Sequence, residues 1–255
     1  MKIKDIRAVV SGGASGLGHA VAERVIAEGG RVALLDVQEG PGTAAAKALG
    51  ANAAYFRCDV TSEAEVNAAV AAARERMGGL NLAVSCAGVV GAGRVLGREG
   101  PMSSEFFTKV IHINLIGTFL VDKAAAQAMQ SNTPNEDGER GVLIHTSSVA
   151  AFEGQIGQAA YSATKAGVAG MVLPMAREFA RIGIRVMAIA PGIFRTPMVA
   201  AMPEDVQQSL GAQIPFPSRL GKPAEFADLV MAIVGNPMLN GETIRLDGAI
   251  RMQPK

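Results

Sequence analysis

Ser11-Gly12-Gly13-Ala14-Ser15-Gly16-Leu17-Gly18 stands between a short apolar run, Ile6 to Val10, and a segment, Ala20 to Ala27, whose apolar residues recur at helical spacing. Strand, glycine loop and helix in that order suit a phosphate cradle. Gly12 permits the tight turn, Gly16 lets backbone approach a pyrophosphate, Gly18 allows close packing of helix on strand, and the helix N-terminus presents unpaired N–H groups. The spacing is G-x-x-x-G-x-G, and a glycine cluster alone also suits an ordinary turn. Arg31 to Asp36 adds a second apolar strand ending in an acid eighteen residues beyond Gly18. A carboxylate there can accept hydrogen bonds from ribose hydroxyls, although Asp36 would also serve as a strand-end turn residue.

The same acid favours NAD over NADP. Two unit charges about 4 Å apart at an effective dielectric near 20 interact by roughly 4 kcal/mol, so a 2′-phosphate beside Asp36 is repelled. No Arg or Lys lies in Gly12 to Gly18 or directly follows Asp36 to offset this.

Beyond these strands the alternation continues. Helices are expected near Gly42 to Leu49, over Glu63 to Met77 with Ser62 and Glu65 in capping-box spacing, over about Ser103 to Gln130, over Ala159 to Ala180 with Pro174 as a kink, and after Lys222. Strands are expected at Ala53 to Cys58, Leu80 to Ser85, Val142 to Ser147, Ile184 to Ala190 and Thr243 to Leu246. Parallel strands joined by right-handed crossovers make a doubly wound α/β sheet of about seven strands. One domain over residues 1–255 is the expectation. Gly88 to Pro101 suits a loop at the carboxyl edge, where ligands bind in open α/β folds, and Ser131 to Gly141 a surface connection. Residues 192–222, rich in Pro and Met, suit a substrate-binding lid whose apolar members are Ile193, Phe194, Met198, Met202, Leu210 and Phe216. The lesser alternative is a helical excursion packed on the sheet or on a second subunit.

Chemistry is suggested at the end of the fifth strand. Ser148 precedes Tyr161 by thirteen residues and Lys165 follows the tyrosine by four. Side chains four apart share a helix face, so an ammonium reaches a phenol and should lower its pKa from about 10. Tyr161 is then expected to exchange a proton with an alcohol or a carbonyl, with Ser148 holding the reacting oxygen. Gln155 and Gln158 lie between the two and are candidates for orienting a substrate carbonyl, though glutamine is also an ordinary loop residue.

Composition excludes several classes. With 24 Lys and Arg against 23 Asp and Glu, interspersed, the net charge of +1 offers no broad basic surface for nucleic acid. Cys58 and Cys86 fall at the ends of buried strands and read as reduced core residues, and His19, His112 and His145 show no ligand spacing, so no metal site is expected. No apolar run reaches the roughly 18–20 residues of a membrane span, and Met1 to Lys4 leads directly into the first strand. A soluble cytoplasmic protein is expected.

Taken together, the chain resembles the short-chain dehydrogenase/reductase family over essentially its whole length. The family's glycine motif falls on Gly12, Gly16 and Gly18, with Ser15 and Leu17 between them, its adenine-contacting acid on Asp59 with Val60, its strand-four motif on Ser85-Cys86-Ala87-Gly88, its tetrad on Asn114, Ser148, Tyr161 and Lys165, and its proline-glycine turn on Pro191-Gly192. The resemblance implies a Rossmann-type fold and cofactor contacts at Cys86, Ala87, Gly88, Tyr161, Lys165, Ile193, Phe194 and Thr196. It also implies a role for Asn114 in a water relay; from the residue alone, an asparagine inside a helix is a structural residue. Ser85-Cys86 departs from the usual pair of asparagines. The stretches around Ala150–Lys165, Ala190–Pro197, Pro215–Glu225 and Asn236–Met252 resemble the type-2 3-hydroxyacyl-CoA dehydrogenase subfamily. That likeness implies an NAD-dependent oxidation of a 3-hydroxyacyl-CoA in fatty-acid metabolism by a homotetramer. A short-chain alcohol or hydroxysteroid dehydrogenase, a 3-oxoacyl reductase and a non-catalytic scaffold are the other readings.

Overall fold

Strand β1, Arg7–Ser11, exposes only its first residue and buries the next four, and β2, Arg31–Asp36, repeats that pattern. Strands buried on both faces read as continuous apolar runs and belong in the middle of a parallel sheet covered by helices. The computed structural model, which describes residues 1–98 and 100–254 and leaves out the side chain of Met198, places them there. The further strands are β3, Ala53–Arg57, β4, Leu82–Ser85, a two-residue antiparallel ribbon of β5, Leu96–Gly97, and β6, Gly100–Pro101, then β7, Gly141–Thr146, β8, Ile184–Pro191, and β9, Thr243–Leu246. The main sheet runs β3-β2-β1-β4-β7-β8-β9 with every neighbouring pair parallel. Chain order reverses between β1 and β4, so a crevice opens where the glycine loop after β1 meets the segment after β4.

Helices α1, Gly16–Ala27, α2, Glu39–Leu49, and α3, Glu63–Met77, follow the first three strands. After β4 come α4, Ser104–Ile111, a π-helical turn, His112–Ile116, and α5, Gly117–Met129. Then α6, Ala159–Phe179, follows β7, two short helices, α7, Pro197–Ala200, and α8, Glu204–Ala212, follow β8, and α9, Pro223–Gly235, precedes β9. One apolar cluster joins α3, α5 and α6 to one face through Val66, Val121, Leu143 and Val172; the other joins α1 and α9 to the opposite face through Val21, Leu34, Met187 and Phe226.

Three expectations are corrected. The continuous helix from 103 to 130 is two α-helices with a π turn between them, and Asn114 sits in that turn. At the start of α3, Ser62 Oγ accepts from Glu65 N at 3.3 Å, but the Glu65 carboxylate does not return the bond. It accepts instead from Asp59 N and from the Arg57 guanidinium, whose charge makes it the stronger partner. The segment 192–222 is partly a helical excursion, with α7 and α8 inside it: the side chain of Phe194 is buried in the core cluster, whereas Phe216 is 84% exposed. Met198, named with that segment, lies outside the described side chains.

Ser85 stands beside His145 in the register of β4 and β7. His145 Nε2 lies 2.8 Å from Asp122 Oδ2 on α5, both fully buried. The two atoms are close but poorly aligned, so neither group nor Ser85 Oγ makes a well-directed hydrogen bond.

Candidate active site

Gly12 has φ +67°, and a Cβ there would fall 2.7 Å from Ala87 N. A Cβ on Gly18 would fall 2.4 Å from Gly12 O. The loop is therefore folded against the end of β4 and against itself too tightly for any side chain, and Cys86 N donates to Ser11 O at 3.0 Å to hold the two segments together. Ser15, the residue before α1, makes no side-chain cap, so the first-turn N–H groups stay available. This is the cradle that a dinucleotide pyrophosphate requires, and the site fits one.

Asp36 closes the cradle at the end of β2. Its carboxylate accepts from Ala14 N and Gln38 N, both at 3.1 Å, which leaves acceptor capacity for a ribose. Asp59 follows β3; hydrogen bonds from Thr61 N and Thr61 Oγ1 hold its carboxyl below the usual range, keeping it ionised beside the buried Val60. Across the crevice, Gly192 N donates to Leu246 O at 2.9 Å, and Thr196 and Pro197 come within 4 Å of the place a Cβ would take on Gly16. Thr196 and Pro197 thus meet the glycine loop from the far side.

The proton-handling group assembles at the carboxyl ends of β4 and β7. Ser148 begins a short 3-10 turn and its Oγ accepts from Ala150 N at 3.1 Å, leaving the hydroxyl hydrogen free to turn outward. Tyr161 is in the first turn of α6. Lys165, one turn on, lies with Nζ 5.7 Å from the Tyr161 ring centroid and donates to Thr146 O at 2.7 Å. Asn114 is completely buried: Nδ2 donates to Val89 O at 2.9 Å and to Thr164 Oγ1 at 3.2 Å, while Oδ1 accepts from Val89 N at 2.8 Å.

The electrostatics correct one expectation. Burial is the larger influence on Tyr161 and raises its phenol above the ordinary value, the neighbouring Ser148 hydroxyl opposing it. Burial also lowers Lys165 to about 8. The ammonium leans on a carbonyl and over the ring face, and its own desolvation weakens the help it gives the phenolate. Cys86 Sγ accepts from Thr146 Oγ1 at 3.3 Å, and burial pushes the thiol up to about 11.

Gln155 turns away from this group, its Nε2 donating to Gln253 O at 3.0 Å, while Gln158 Oε1 accepts from Gln155 N at 3.0 Å and keeps its own amide donors. Asn114's side chain is committed to protein partners, so an ordered water there has only a remaining lone pair to use. Thr146, Thr164 and Val89 are absent from the sequence reading; only Thr164 carries a signal, lying inside Y-S-A-T-K on the way to Lys165. Among the described residues there is no cluster of His, Cys, Asp or Glu able to hold a metal, and no helix long and apolar enough to cross a membrane.

A glycine cradle at the crevice, with a serine, a tyrosine and a lysine gathered beside it, agrees with a match of residues 7–207 to the short chain dehydrogenase family. The chain is a short-chain dehydrogenase. As a member of that family it is an oxidoreductase working with a nicotinamide cofactor. Among its relatives, the 3-hydroxyacyl-CoA dehydrogenase type-2 of Bos taurus is 53% identical over 254 residues, 99% of this chain and 97% of the relative. The crystal structure of 3-hydroxyacyl-CoA dehydrogenase type-2 from Mycobacterium avium superposes with a TM-score of 0.93 at 43% identity, covering 99% and 98% of the two chains. The crystal structure of a single-substitution variant of actinorhodin polyketide ketoreductase with NADPH superposes with a TM-score of 0.87 at 29% identity, covering 98% and 99%. This dehydrogenase therefore has relatives whose names point to both thioester oxidation and ketone reduction.

Proposed function

We propose that the protein oxidises the C3 hydroxyl of a 3-hydroxyacyl-CoA with NAD. The observation that carries the reading is the meeting of Ser148, Tyr161 and Lys165 beside the glycine cradle; the names of its relatives supply the substrate class. The cradle Gly12 to Gly18 with Asp36, Asp59, Val60, Cys86 to Gly88, Pro191 to Phe194 and Thr196 would hold the dinucleotide, with Tyr161 and Lys165 at its reacting end. When bound, NAD supplies a hydride acceptor. Ser148 donates its free hydrogen to the substrate oxygen and fixes its position. Tyr161 takes the hydroxyl proton, and Gln158, which keeps its amide donors, would orient the thioester carbonyl. Lys165 stabilises the phenolate, and Asn114 braces the loop at Val89 against α6 through Thr164. General acid–base catalysis of this kind contributes typically about 10²–10⁴-fold, and oriented binding supplies much of the rest. The same reading includes residues 192–222 as the substrate-binding segment, a homotetramer that sedimentation would test, and a cytoplasmic location.

Asp36 favours NAD. Asp36→Ala is expected to raise the NADP to NAD ratio of kcat/KM by at least about tenfold, because a repulsion of a few kcal/mol is removed; an unchanged ratio would sink the role. The competing reading, an NADPH-dependent reductase like the ketoreductase neighbour, is disfavoured by the same residue. Mixing purified protein with NAD and, in turn, 3-hydroxybutyryl-CoA, a hydroxysteroid and a simple secondary alcohol, and following NADH absorbance, tests the whole proposal. Strong preference for the alcohol or steroid would overturn it.

A further inference from the structure

Arg57 comes to the cofactor acid from the next strand. In the register of β2 and β3 it is the partner of Asp36, so the two side chains leave the sheet on one face from backbones about 4.8 Å apart. Cys58 N donates to Asp36 O at 3.0 Å and fixes that edge. Tyr55, two residues earlier on the same face, donates its hydroxyl to Asp36 O at 2.9 Å. Burial raises its phenol above the ordinary value, with Asp36 adding to the rise and Arg57 opposing it, so both charges stand around one ring. After the Thr61 bonds, Arg57 also helps to hold the Asp59 carboxyl low. A cation therefore stands at the adenosine end of the cradle, although none is next to Asp36 in sequence. It is already engaged. Arg57 Nη1 donates to Glu65 Oε2 at 2.8 Å, the same oxygen that accepts from Asp59 N at 3.1 Å, and this draws the guanidinium toward the first turn of α3. The two side chains are 57% and 38% exposed, so the pair can part without disturbing the core.

Resting on the proposed preference for NAD, we infer that Glu65 is a second determinant of that preference: it holds Arg57 away from the ribose 2′ position, where a freed guanidinium would pair with the phosphate of NADP. Planar guanidinium binds phosphate through two parallel hydrogen bonds. Asp36 repels the same phosphate directly. Exclusion thus has two parts, one carboxylate that repels the phosphate and one that occupies its counter-charge. Replacing Asp36 removes a repulsion and supplies no partner, whereas replacing Glu65 as well releases one. Glutamine is the suitable replacement for Glu65, because its amide oxygen still accepts from Asp59 N while the charge that holds Arg57 is gone.

The test is the fluorescence enhancement of NADH and NADPH on binding, read as the ratio of dissociation constants, NADPH over NADH, with no substrate present. Asp36→Ala should lower the ratio by at least about tenfold. Asp36→Ala/Glu65→Gln is expected to lower it about fivefold further, the scale of an exposed charge pair, and added salt should shrink that further gain. Adding Arg57→Gln to the double variant should return the ratio to that of Asp36→Ala. Asp36→Ala/Glu178→Gln removes an exposed carboxylate from α6, which packs on β7 and β8 far from the β3 edge of the sheet; it controls for net charge and should match Asp36→Ala. A further gain under about twofold, an equal gain from the α6 change, or a gain that survives the loss of Arg57 overturns the role of Glu65. Arg57→Gln in the otherwise unmodified protein should leave NADH affinity within about twofold; a larger loss would put the guanidinium on the bound adenine and overturn the role as well. If the unmodified protein holds NADPH as tightly as NADH, or Asp36→Ala leaves the ratio unchanged, the cofactor reading itself falls. That outcome is seen before Glu65 is altered, so it is distinguishable from failure of the second determinant.

Discussion

Tyr161→Phe is expected to lower alcohol oxidation by about 10²–10⁴-fold while NADH still binds with nearly unchanged affinity, because the ring keeps its place and only the proton carrier is lost. Burial holds the phenol above its ordinary value in the cofactor-free protein. Oxidation requires the phenolate, whose fraction grows as pH rises, so turnover in the oxidative direction should climb from neutral into alkaline pH and ketone reduction should decline. Lys165, lowered to about 8 by burial, loses its charge over part of the same range in the free protein. Replacing Lys165 with Met should push the oxidative rise to higher pH. Substantial turnover in the phenylalanine variant, or a pH profile flat from neutral to alkaline when proton transfer limits the rate, would remove the proton role from the tyrosine.

Arg185→Ala should cost the fold about 3–5 kcal/mol and lower the melting temperature by on the order of 10 °C. The side chain is 6% exposed on β8. It pairs with buried Glu139 at 2.8 Å and donates to the carbonyls of Ile233, Val234, Asn236 and Leu239 at the end of α9 and just beyond it. Ile233 and Val234 are among the last carbonyls of α9, which have no partner within the helix. Truncation removes the guanidinium from a buried carboxylate, which keeps only the Met1 ammonium and the Asn135 amide, and from four carbonyls at once. Differential scanning calorimetry would measure the loss, and a shift of a degree or two would show that water replaces the guanidinium freely.

Much of this architecture was legible in the chain because its signals are local. Buried runs such as Arg31–Asp36 and Ile184–Pro191 carry their own pattern, and Glu63–Met77 and Thr243–Leu246 fall where periodicity and turn residues put them. Likewise, Tyr161 and Lys165 are brought to one face by helical spacing alone. What stayed hidden depends on contacts distant in sequence. The π turn at Asn114 is fixed by Val89 and Thr164, 25 and 50 residues away, and no propensity announces it. The burial of Tyr161, set by how the surrounding elements pack, turned the expected direction of its shift, and Lys165 leans on a carbonyl 19 residues earlier. By its place in the segment after β8 the side chain of Phe194 reads as part of a lid, yet the bridge from Phe194 to Gly221 and the cluster it shares with Phe226 bury it.

The thiol placed between the glycine loop and Thr146 has a chemical consequence. A cysteine at the mouth of a redox crevice is an obvious target for peroxide and electrophiles, but both react with thiolate. Cys86 and Cys58 are each held protonated, at about 11. Alkylating reagents aimed at Cys86 are therefore expected to react slowly at neutral pH, where little thiolate is present.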